Sequence, residues 1–370
     1  MVYLIDGNAY INVALNVIKR MLFNDKSSSE DYYMEDIFNE GKYVLKETSR
    51  IRFRDFCLNY LSSLISPVYS ETREVHIVFD SKSWRKEYVK SFFEKEDSTD
   101  DFQYKSGRKK DEMIHLFFEY FQNTIQPHLE KEPGINFHRI NGMEGDDIIA
   151  TLTERNKNTI IYTVDKDMIQ LVKNSGNYVI MIMPKMMTKT KKLFYAKADN
   201  ASSSDFFSLS GTDLTGGVDT IISKFEKKGY SKFEIDPKES LLTKIFEGDK
   251  SDNIPRIHKM TPSKVKKMNA YLLEKYGETI FEKLDNYKQE ESFLQECVDK
   301  VVELNKIKDD NIISSLKSNI SLNIKLIRLS TSLLPDSVKT TDYEVISSDR
   351  TYKKFNYTKL IEIKNNSVLI

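Results

Sequence analysis

Several features that mark common classes of protein are scarce or missing in this sequence. Only two cysteines, Cys57 and Cys297, occur among 370 residues, and their spacing fits neither a metal motif nor a redox motif. A disulfide framework is therefore excluded, and a reducing, cytoplasmic compartment is predicted. No run of eighteen apolar residues exists, which excludes a membrane span. Asp6 lies inside the first apolar run and argues against a signal peptide.

The sequence also has few histidines and no net charge. The five histidines are scattered, so they indicate no Ser-His-Asp set and no histidine-based metal site. The 56 basic and 56 acidic residues cancel to a formal net charge of zero, which counts against a nucleic-acid binder. The distribution of charge matters more than its sum, however, because basic residues can cluster on one face of a molecule.

The first two thirds of the chain alternate short apolar segments with amphipathic ones. Apolar segments of strand length occur at residues 2–5, 75–79, 135–140, 160–164, 178–183 and 193–196. Helical patterns occur at 9–21, 53–64 and 113–121, and from about residue 238 onward at 238–247, 261–275 and 279–307. This alternation predicts an α/β fold, with a central, mostly parallel sheet flanked by helices. Residues 22–46 are predicted to be an irregular exposed insertion, and 198–217 a loop.

Acidic residues stand at the ends of three predicted strands: Asp6, Asp80 and Asp165. Parallel strands bring their carboxyl ends to one edge of a sheet, so these side chains are predicted to converge there. The same edge is predicted to receive four carboxylates from the helix before the third strand and the loop after it: Glu144, Asp146, Asp147 and Asp167.

For each acid on its own, a turn or helix-capping role is the simpler explanation. Their convergence is harder to explain in that way, because gathered carboxylates repel one another unless water or a cation separates them. A ligand set of oxygens, without Cys or His, selects a hard cation such as Mg²⁺ or Mn²⁺. The sequence therefore predicts a metal site at this edge of the sheet.

A second acidic segment lies at residues 246–255. A predicted helix ends at Gly248, Asp249 and Asp252 follow at a spacing of three, and Pro255 precedes the next helix. An ordinary connection between two helices would account for the composition, although not for so particular a string.

Taken in chain order, Asp6, Asp80, the acids at 144–147 and 165–167, and the string GDKSDNIP at 248–255 resemble the metal motifs of the flap endonuclease / 5′→3′ exonuclease superfamily. The strings SWRK at 83–86 and YKSGR at 104–108 most resemble the RNase H of T-even-like phages, a member of that superfamily. The resemblance covers residues 2 to about 270. It implies the PIN-like 5′-nuclease fold, with a helical arch and a helical DNA-binding region that follows.

The resemblance implies two Mg²⁺ ions, for which Mn²⁺ would substitute. One ion would be held by four of the acids, with Asp165 at its border: Asp6, Asp80, Glu144 and Asp146. The other would be associated, partly through water, with Asp165, Asp167, Asp249 and Asp252. Asp147 matches a frequent acid of the family motif and is included among the candidate metal-site residues without an assigned role.

The family also gives the basic segment at 81–112 a purpose, although a solvated charged loop would explain it equally well from composition alone. It would form the arch through which a single-stranded 5′ end passes. Arg85 and Lys105 would contact the scissile phosphate as catalytic residues, and Lys86 and Arg108 would contact nucleic acid nearby. Residues 245–270 resemble a helix–hairpin–helix-like duplex-binding element with four lysines: Lys259, Lys264, Lys266 and Lys267. Arg256 to Thr261 replace the glycine-rich hairpin of many members, as in the phage subgroup.

The resemblance thus implies a metal-dependent, structure-specific 5′ nuclease that removes RNA primers during DNA replication. Its catalytic domain would span 1–237 and its helical C-terminal region 238–370. Substrates would be DNA with 5′ flaps or ends and RNA–DNA hybrids, and a single-strand-binding protein or a sliding clamp would be a partner. The chain would be a monomer in the cytoplasm, that of a bacterial host if the protein is phage-encoded.

Other classes of protein share parts of this pattern. A haloacid dehalogenase-type phosphatase would explain the strand followed by Asp165 and Asp167, but it needs that motif on its first strand. A PIN-class nuclease is usually shorter and lacks the string at 248–255. A non-catalytic structure-specific DNA-binding protein with a relic site would have lost some of the acids, whereas the set here is complete.

Overall fold

The computed structural model describes residues 1–22, 34–37, 42–95, 104–105, 112–156, 158–172, 178–184, 190–196, 217–347 and 353–366. Within this part of the chain, a seven-stranded sheet forms the centre of the molecule. Its strands are β1 (Val2–Asp6), β4 (Glu74–Val78), β5 (Ile135–His138), β6 (Thr159–Tyr162), β7 (Val179–Met183), β8 (Lys191–Tyr195) and β9 (Tyr230–Glu234). A separate antiparallel pair consists of β2 (Met34–Ile37) and β3 (Lys42–Leu45).

The order of the large sheet is β5-β4-β1-β6-β7-β8-β9, and its neighbours are parallel except for β7 and β8. The predicted α/β fold with a mostly parallel sheet is therefore confirmed. Strand β1 lies between β4 and β6, so the three strands that precede Asp6, Asp80 and Asp165 are direct neighbours. This order is what brings the three acids to one place.

Helices cover both faces of the sheet and form most of the chain after residue 237. They are α1 (Gly7–Leu22), α2 (Glu47–Ile65), α3 (Trp84–Lys95), α4 (Glu112–Tyr120), α5 (Gln126–Leu129), α6 (Gly145–Arg155), α7 (Gly217–Glu226), α8 (Pro237–Glu247), α9 (Pro262–Tyr276), α10 (Ile280–Asp285), α11 (Glu291–Asn305), α12 (Asp310–Ile327), α13 (Thr341–Ser347) and α14 (Tyr357–Asn365). One π-helical turn, Phe121–Ile125, connects α4 to α5.

Alternation along β1 divides the core between the two faces of the sheet. Tyr3 and Ile5 belong to one cluster of buried side chains, and Val2 and Leu4 belong to another. Both faces are therefore buried, which is the usual condition of a parallel sheet and explains why the strands read as continuous apolar runs.

A third buried cluster joins the helices after residue 237 to the segment that the sequence predicts to be the arch. Leu242, Ile245 and Leu272 pack there together with Val89 of α3 and with Tyr104. The end of the described chain returns to the first cluster instead, where Phe355 and Leu360 are buried.

Three sequence predictions about elements are wrong or incomplete. Residues 22–46 include the hairpin β2–β3, and Leu45 is part of the buried core. The pattern at 279–307 is two helices, α10 and α11, with a break between them. Helix α7 and strand β9 were not predicted, and most of the predicted loop at 198–217 lies outside the described residues. Among the described helices, none is both long and apolar enough to cross a membrane.

Candidate active site

The site begins at the carboxyl ends of β4, β1 and β6. Asp6 is the last residue of β1, Asp80 lies two residues beyond β4, and Asp165 lies three residues beyond β6. Thr163 connects two of them: its hydroxyl donates to Asp6 Oδ2 at 2.7 Å and accepts from the Asp165 N–H at 3.0 Å. The third acid, Asp80, accepts at Oδ1 from the Gly145 N–H at 2.7 Å, which ties it to the start of α6.

Gly145 is required by this contact. A Cβ atom at residue 145 would lie 3.0 Å from Asp80 Oδ1, so a larger residue would push the carboxylate away. The next residue, Asp146, is therefore presented directly beside the strand ends, in the first turn of α6.

The strand-end acids repel one another. Burial, with a smaller contribution from the charges of Asp80 and Asp165, raises the pKa of Asp6 to about 7, against two hydrogen bonds that lower it. Burial also raises the pKa of Asp146, with added repulsion from the charges of Asp165, Asp80 and Glu144. A divalent cation among these oxygens would remove the repulsion, so the donor set fits a hard metal ion.

Asp147 and Arg85 form a buried ion pair behind these acids. Arg85 donates from Nη2 to Asp147 Oδ1 at 2.7 Å and from Nη1 to Asp147 Oδ2 at 2.8 Å. Its Nη1 also donates to Glu144 Oε2 at 2.9 Å, and its Nε donates to the Leu326 carbonyl at 3.0 Å. Asp147 further accepts from the Trp84 indole N–H at 3.0 Å. Because Arg85 is only 1% exposed, its guanidinium here organises the acids.

Glu144 is the acid most strongly surrounded by cations. Burial would raise its pKa, but the charges of Arg85 and Lys105 and a hydrogen bond from Lys105 lower the pKa to about 2. Lys105 Nζ lies 2.5 Å from Glu144 Oε1 and 3.4 Å from Asp252 Oδ2. The Tyr104 hydroxyl shares one hydrogen-bonding proton between the same two carboxylates, 3.1 Å from Glu144 Oε2 and 3.2 Å from Asp252 Oδ2.

A second group of acids lies around Lys244 of α8. Its ammonium group donates to Asp167 Oδ1 and, at 2.7 Å, to Asp249 Oδ2. Burial would raise the pKa of Asp249, but the hydrogen bonds from Lys244 and Ser251 lower it to about 2. Asp167 in turn donates its backbone N–H to Asp165 Oδ1 at 2.9 Å, which links this group to the strand ends.

The turn that carries Asp249 and Asp252 depends on Gly248. Gly248 has a φ of +74°, and a Cβ atom there would lie 2.5 Å from the Ile254 carbonyl oxygen. Asp249 and Ile254 pair with each other by two backbone hydrogen bonds of 3.0 and 2.8 Å, which closes the turn. Asn323 of α12 holds both ends of this segment by donating to the carbonyls of Ile245 and Pro255.

Among the described residues, no three His, Cys, Asp or Glu side chains are arranged to hold a metal ion as they stand. Five of the acids predicted to bind metal are paired with cations of the chain instead. Arg85 pairs with Glu144 and Asp147, Lys105 with Glu144 and Asp252, and Lys244 with Asp167 and Asp249.

Comparison with protein families gives one match that covers residues 1–200, to the family described as 5′-3′ exonuclease, N-terminal resolvase-like domain. The chain belongs to the 5′-3′ exonuclease family. The predicted resemblance to the flap endonuclease / 5′→3′ exonuclease superfamily is thereby confirmed. No curated protein matches.

Several solved structures are similar to this 5′-3′ exonuclease family member over most of its length. The D15 protein of bacteriophage T5, co-crystallised with metal ions, is 13% identical, with 98% of this chain and 99% of that chain covered and a TM-score of 0.49. The catalytic core of Rad2 in complex with DNA substrate is 16% identical, with 85% and 79% covered and a TM-score of 0.32. Human GEN1 in complex with Holliday junction DNA is 12% identical, with 82% and 57% covered and a TM-score of 0.34.

Most of the lysines predicted to contact nucleic acid are exposed, unlike most acids of the cluster. Lys86 on α3 is exposed, and so are Lys259, Lys266 and Lys267 in and after the turn at 248–261. Lys264 is half-buried and donates to Asn305 Oδ1 at 2.6 Å. Arg108 lies outside the described residues.

Sequence reasoning missed four side chains of this exonuclease-family site: Trp84, Tyr104, Thr163 and Lys244. Trp84 and Tyr104 stand inside strings that carry the family resemblance, and Thr163 lies two residues before Asp165. Lys244 carried no such signal, because a lysine on a helix is ordinarily a solvated residue. Only the fold shows that it lies between Asp167 and Asp249.

Proposed function

We propose that this member of the 5′-3′ exonuclease family is a divalent-metal-dependent, structure-specific 5′ nuclease that hydrolyses phosphodiesters at the acid cluster. One observation carries the proposal. Three neighbouring strands and the start of α6 deliver Asp6, Asp80, Asp165 and Asp146 to one edge of the sheet, where burial and, to a smaller extent, the charges of the other acids raise the pKa of Asp6 and Asp146. Such an arrangement is costly for folding unless it serves to bind cations.

The acids divide into two sets that would hold two Mg²⁺ ions, with Mn²⁺ as a substitute. Asp6, Asp80, Glu144 and Asp146 would hold one ion, and Asp165 with the acids of the second group would hold the other: Asp167, Asp249 and Asp252. Bound divalent ions would supply an activated water and stabilise charge on the phosphate and on the departing oxygen.

The chain's own cations complete the site. Lys105 would exchange its bond to Glu144 for one to the scissile phosphate, which frees the Glu144 carboxylate as the substrate enters. Tyr104 fixes the position of Lys105, because its hydroxyl is bonded to Glu144 and Asp252 while the Lys105 N–H donates to the Asp252 carbonyl at 3.1 Å. Arg85 orients Glu144 and Asp147 through hydrogen bonds to their carboxylates.

The substrate would be DNA with a 5′ flap or end, or an RNA–DNA hybrid, and the reaction would clear RNA primers during replication. Residues 1–237 would form the catalytic domain and residues 238–370 the region that grips the duplex, through Lys259, Lys264, Lys266 and Lys267. The family model that matches residues 1–200 is that of a 5′-3′ exonuclease, which supports a nucleic-acid substrate. The protein would act as a monomer in the cytoplasm, together with a single-strand-binding protein or a sliding clamp.

Incubation with labelled substrates tests this function. We expect the purified protein with Mg²⁺ to shorten a 5′-flap DNA and an RNA–DNA hybrid from the 5′ end, and a chelator to stop the reaction. Hydrolysis of a small phosphomonoester, with nucleic acid left intact, would show a phosphatase instead and end the nuclease proposal.

Three substitutions test the assigned roles. Asp165→Asn and Asp249→Asn should abolish turnover and retain DNA binding, because both remove metal-binding charge and keep the shape of the side chain. Lys105→Ala should slow cleavage without unfolding the protein, whereas Lys227→Ala, an exposed lysine outside the site, should leave the rate unchanged. Loss of DNA binding in the Asn variants would make those acids structural, and an unchanged rate in Lys105→Ala would remove Lys105 from the site.

A further inference from the structure

A cavity of about 350 Å³ lies between α3, the end of α10, α12 and residues 332–339. Its walls include Tyr88 of α3, Lys325 of α12, Lys288, Ser332 and Lys339. Neither the family motifs nor the proposed metal site uses any of these residues.

Lys325 is the unusual member of this wall. It is 7% exposed, and its ammonium group stands over the rings of Trp84 and Tyr88, at 5.1 and 5.6 Å from their centres. The ammonium group donates to the Leu333 carbonyl, and among the described residues it forms no ion pair with a carboxylate. Because a buried charge is costly without a counter-charge, this lysine favours an anion close by.

The charges around Lys325 are mostly positive. Burial and the charges of Lys288, Arg85 and Lys339 together lower the pKa of Lys325 to about 8, against the charge of Asp147, which raises it. Asp147 is itself paired with Arg85. Asp285, one of the two acids that line the cavity, is bound by Arg328 at 2.8 and 3.1 Å. Asp336 pairs with Lys339 at the rim, where its side chain is fully exposed and the attraction is screened.

We propose that this cavity binds a backbone phosphate of a single-stranded segment of the nucleic-acid substrate. Lys288, Lys325 and Lys339 supply the positive charge, and the Ser332 and Tyr88 hydroxyls are hydrogen-bond donors for phosphate oxygens. A volume near the lower limit of small-ligand sites admits one nucleotide-sized group and excludes a duplex.

The choice of nucleic acid over a free anion follows from the position of the cavity. Tyr88 lies one turn after Arg85 in α3, and Lys325 directly precedes Leu326, whose carbonyl accepts from Arg85 Nε. Two residues of the cavity wall therefore lie close to Arg85, which itself binds Glu144 and Asp147 of the acid cluster. In this proposal, a single strand that leaves the acids along α3 enters the cavity. This inference rests on the proposed nuclease function.

The test compares two variants of equal charge. Lys288→Ala/Lys339→Ala removes two exposed cations of the cavity, and Lys227→Ala/Lys228→Ala removes two exposed cations elsewhere. Lys325 is kept, because it is buried against Trp84. Affinity for a 5′-flap oligonucleotide is measured in chelator over a range of about 50 to 200 mM salt. We expect the cavity variant to bind about tenfold more weakly, with a salt slope reduced by about 1, and the control to change less than about twofold.

Trp84, the chain's single tryptophan, reports on the cavity directly, since Lys325 stands over its ring. Inorganic phosphate should change the tryptophan fluorescence of the wild type only at millimolar concentrations and should compete with the oligonucleotide. The cavity variant should lose the response to phosphate. Tight phosphate binding without any effect on oligonucleotide affinity would identify a free-anion site and overturn the nucleic-acid assignment.

Failure of this inference can be told apart from failure of the nuclease function. A wild type that cleaves the flap in Mg²⁺, while the cavity variant matches the control in affinity and salt slope, overturns the cavity site alone. A wild type that neither binds nor cleaves nucleic acid overturns both.

Discussion

At the scale of single residues, Asp147 differs from the other acids that the sequence predicts to bind metal, because its oxygens are occupied by contacts within the protein. Both of its oxygens accept from Arg85, and one also accepts from the Trp84 indole and from the Glu144 N–H. Few acceptor positions remain for an ion. We therefore infer that Asp147 holds Arg85, and that Arg85 orients Glu144.

Breaking this pair should destabilise the protein strongly. Arg85→Met leaves Asp147 buried without its partner, which costs about 3–5 kcal/mol of unfolding free energy. The double variant Arg85→Met/Asp147→Leu removes both charges and should recover part of that loss. Urea unfolding of the metal-free protein measures both values. Lys90→Met, which breaks the exposed pair with Glu94, is the control and should cost less than about 1 kcal/mol. A loss of that small size in Arg85→Met would contradict the assignment.

The raised pKa of Asp6 makes a prediction about pH. The pKa of Asp6 is 3.8 without the protein environment and about 7 in the folded state, so the folded protein binds more protons between these values. Its contribution therefore lowers the stability of the metal-free protein as pH rises from about 4 to 7. Asp146 shifts in the same direction. The lowered pKa values of Glu144 and Asp249, about 2, act only at more acidic pH.

Thermal unfolding in chelator at about pH 5.5 and pH 8 measures this effect. Asp6→Asn should raise the melting temperature at pH 8 more than at pH 5.5, because Asn carries no charge at either pH. Mg²⁺ should stabilise the wild type more at pH 8, where binding no longer displaces a proton. An equal effect of Asp6→Asn at both pH values would show that Asp6 is ionised throughout.

The sequence predicts the convergence of Asp6, Asp80 and Asp165 because a physical rule connects strand ends to one edge of a parallel sheet. No such rule relates Arg85 to Asp147, which lies 62 residues further along the chain. The predicted contact of Arg85 with the phosphate therefore took no account of its burial. Contacts between side chains that are distant in sequence depend on packing, which residue patterns do not encode locally.

At the scale of elements, the turn after α8 couples backbone strain to the position of two acids. Gly248→Ala should destabilise the protein by more than the conformational cost of a positive φ, about 1–2 kcal/mol, because its Cβ would also collide with the Ile254 carbonyl. Gly229→Ala is a matched control, since Gly229 has a φ of +82° and no atom near its Cβ position. Chemical denaturation of both variants gives, by difference, the combined cost of the steric contact and of the unusual ψ of −177° at Gly248. Equal losses would show that the turn adjusts.

The sequence correctly predicts the elements that have a clear hydrophobic pattern. Strands β1, β4 and β7 lie where their apolar runs are, since burial on both faces makes such runs continuous. The hairpin β2–β3 and helix α7 were missed, because each stands in or beside a polar segment without a clear period. Their positions are determined by neighbours that a local pattern does not show.

At the scale of the whole molecule, the last described segment, residues 353–366, returns to the core around β1. Phe355 is buried with the side chains around β1, and its N–H donates to the Arg73 carbonyl at 2.5 Å. Phe355→Ala should therefore cost about 3–5 kcal/mol, as for a large aromatic residue of a core. Phe233→Ala, at an exposed position, should cost less than about 1 kcal/mol. Thermal unfolding measures both, and a near-neutral Phe355→Ala would show that the C-terminal segment is dispensable.

The burial of Val89 and Tyr104 among the helices after residue 237 has a consequence for recombination between relatives. A chimera that joins residues 1–237 of one exonuclease to residues 238–370 of another would divide this cluster between two parents. Val89 and Tyr104 would then meet foreign side chains beneath the very segment that carries Lys105. Val89, Tyr104 and the helices that follow residue 237 should therefore be exchanged together in a chimera, although more than 130 residues of chain separate Tyr104 from those helices.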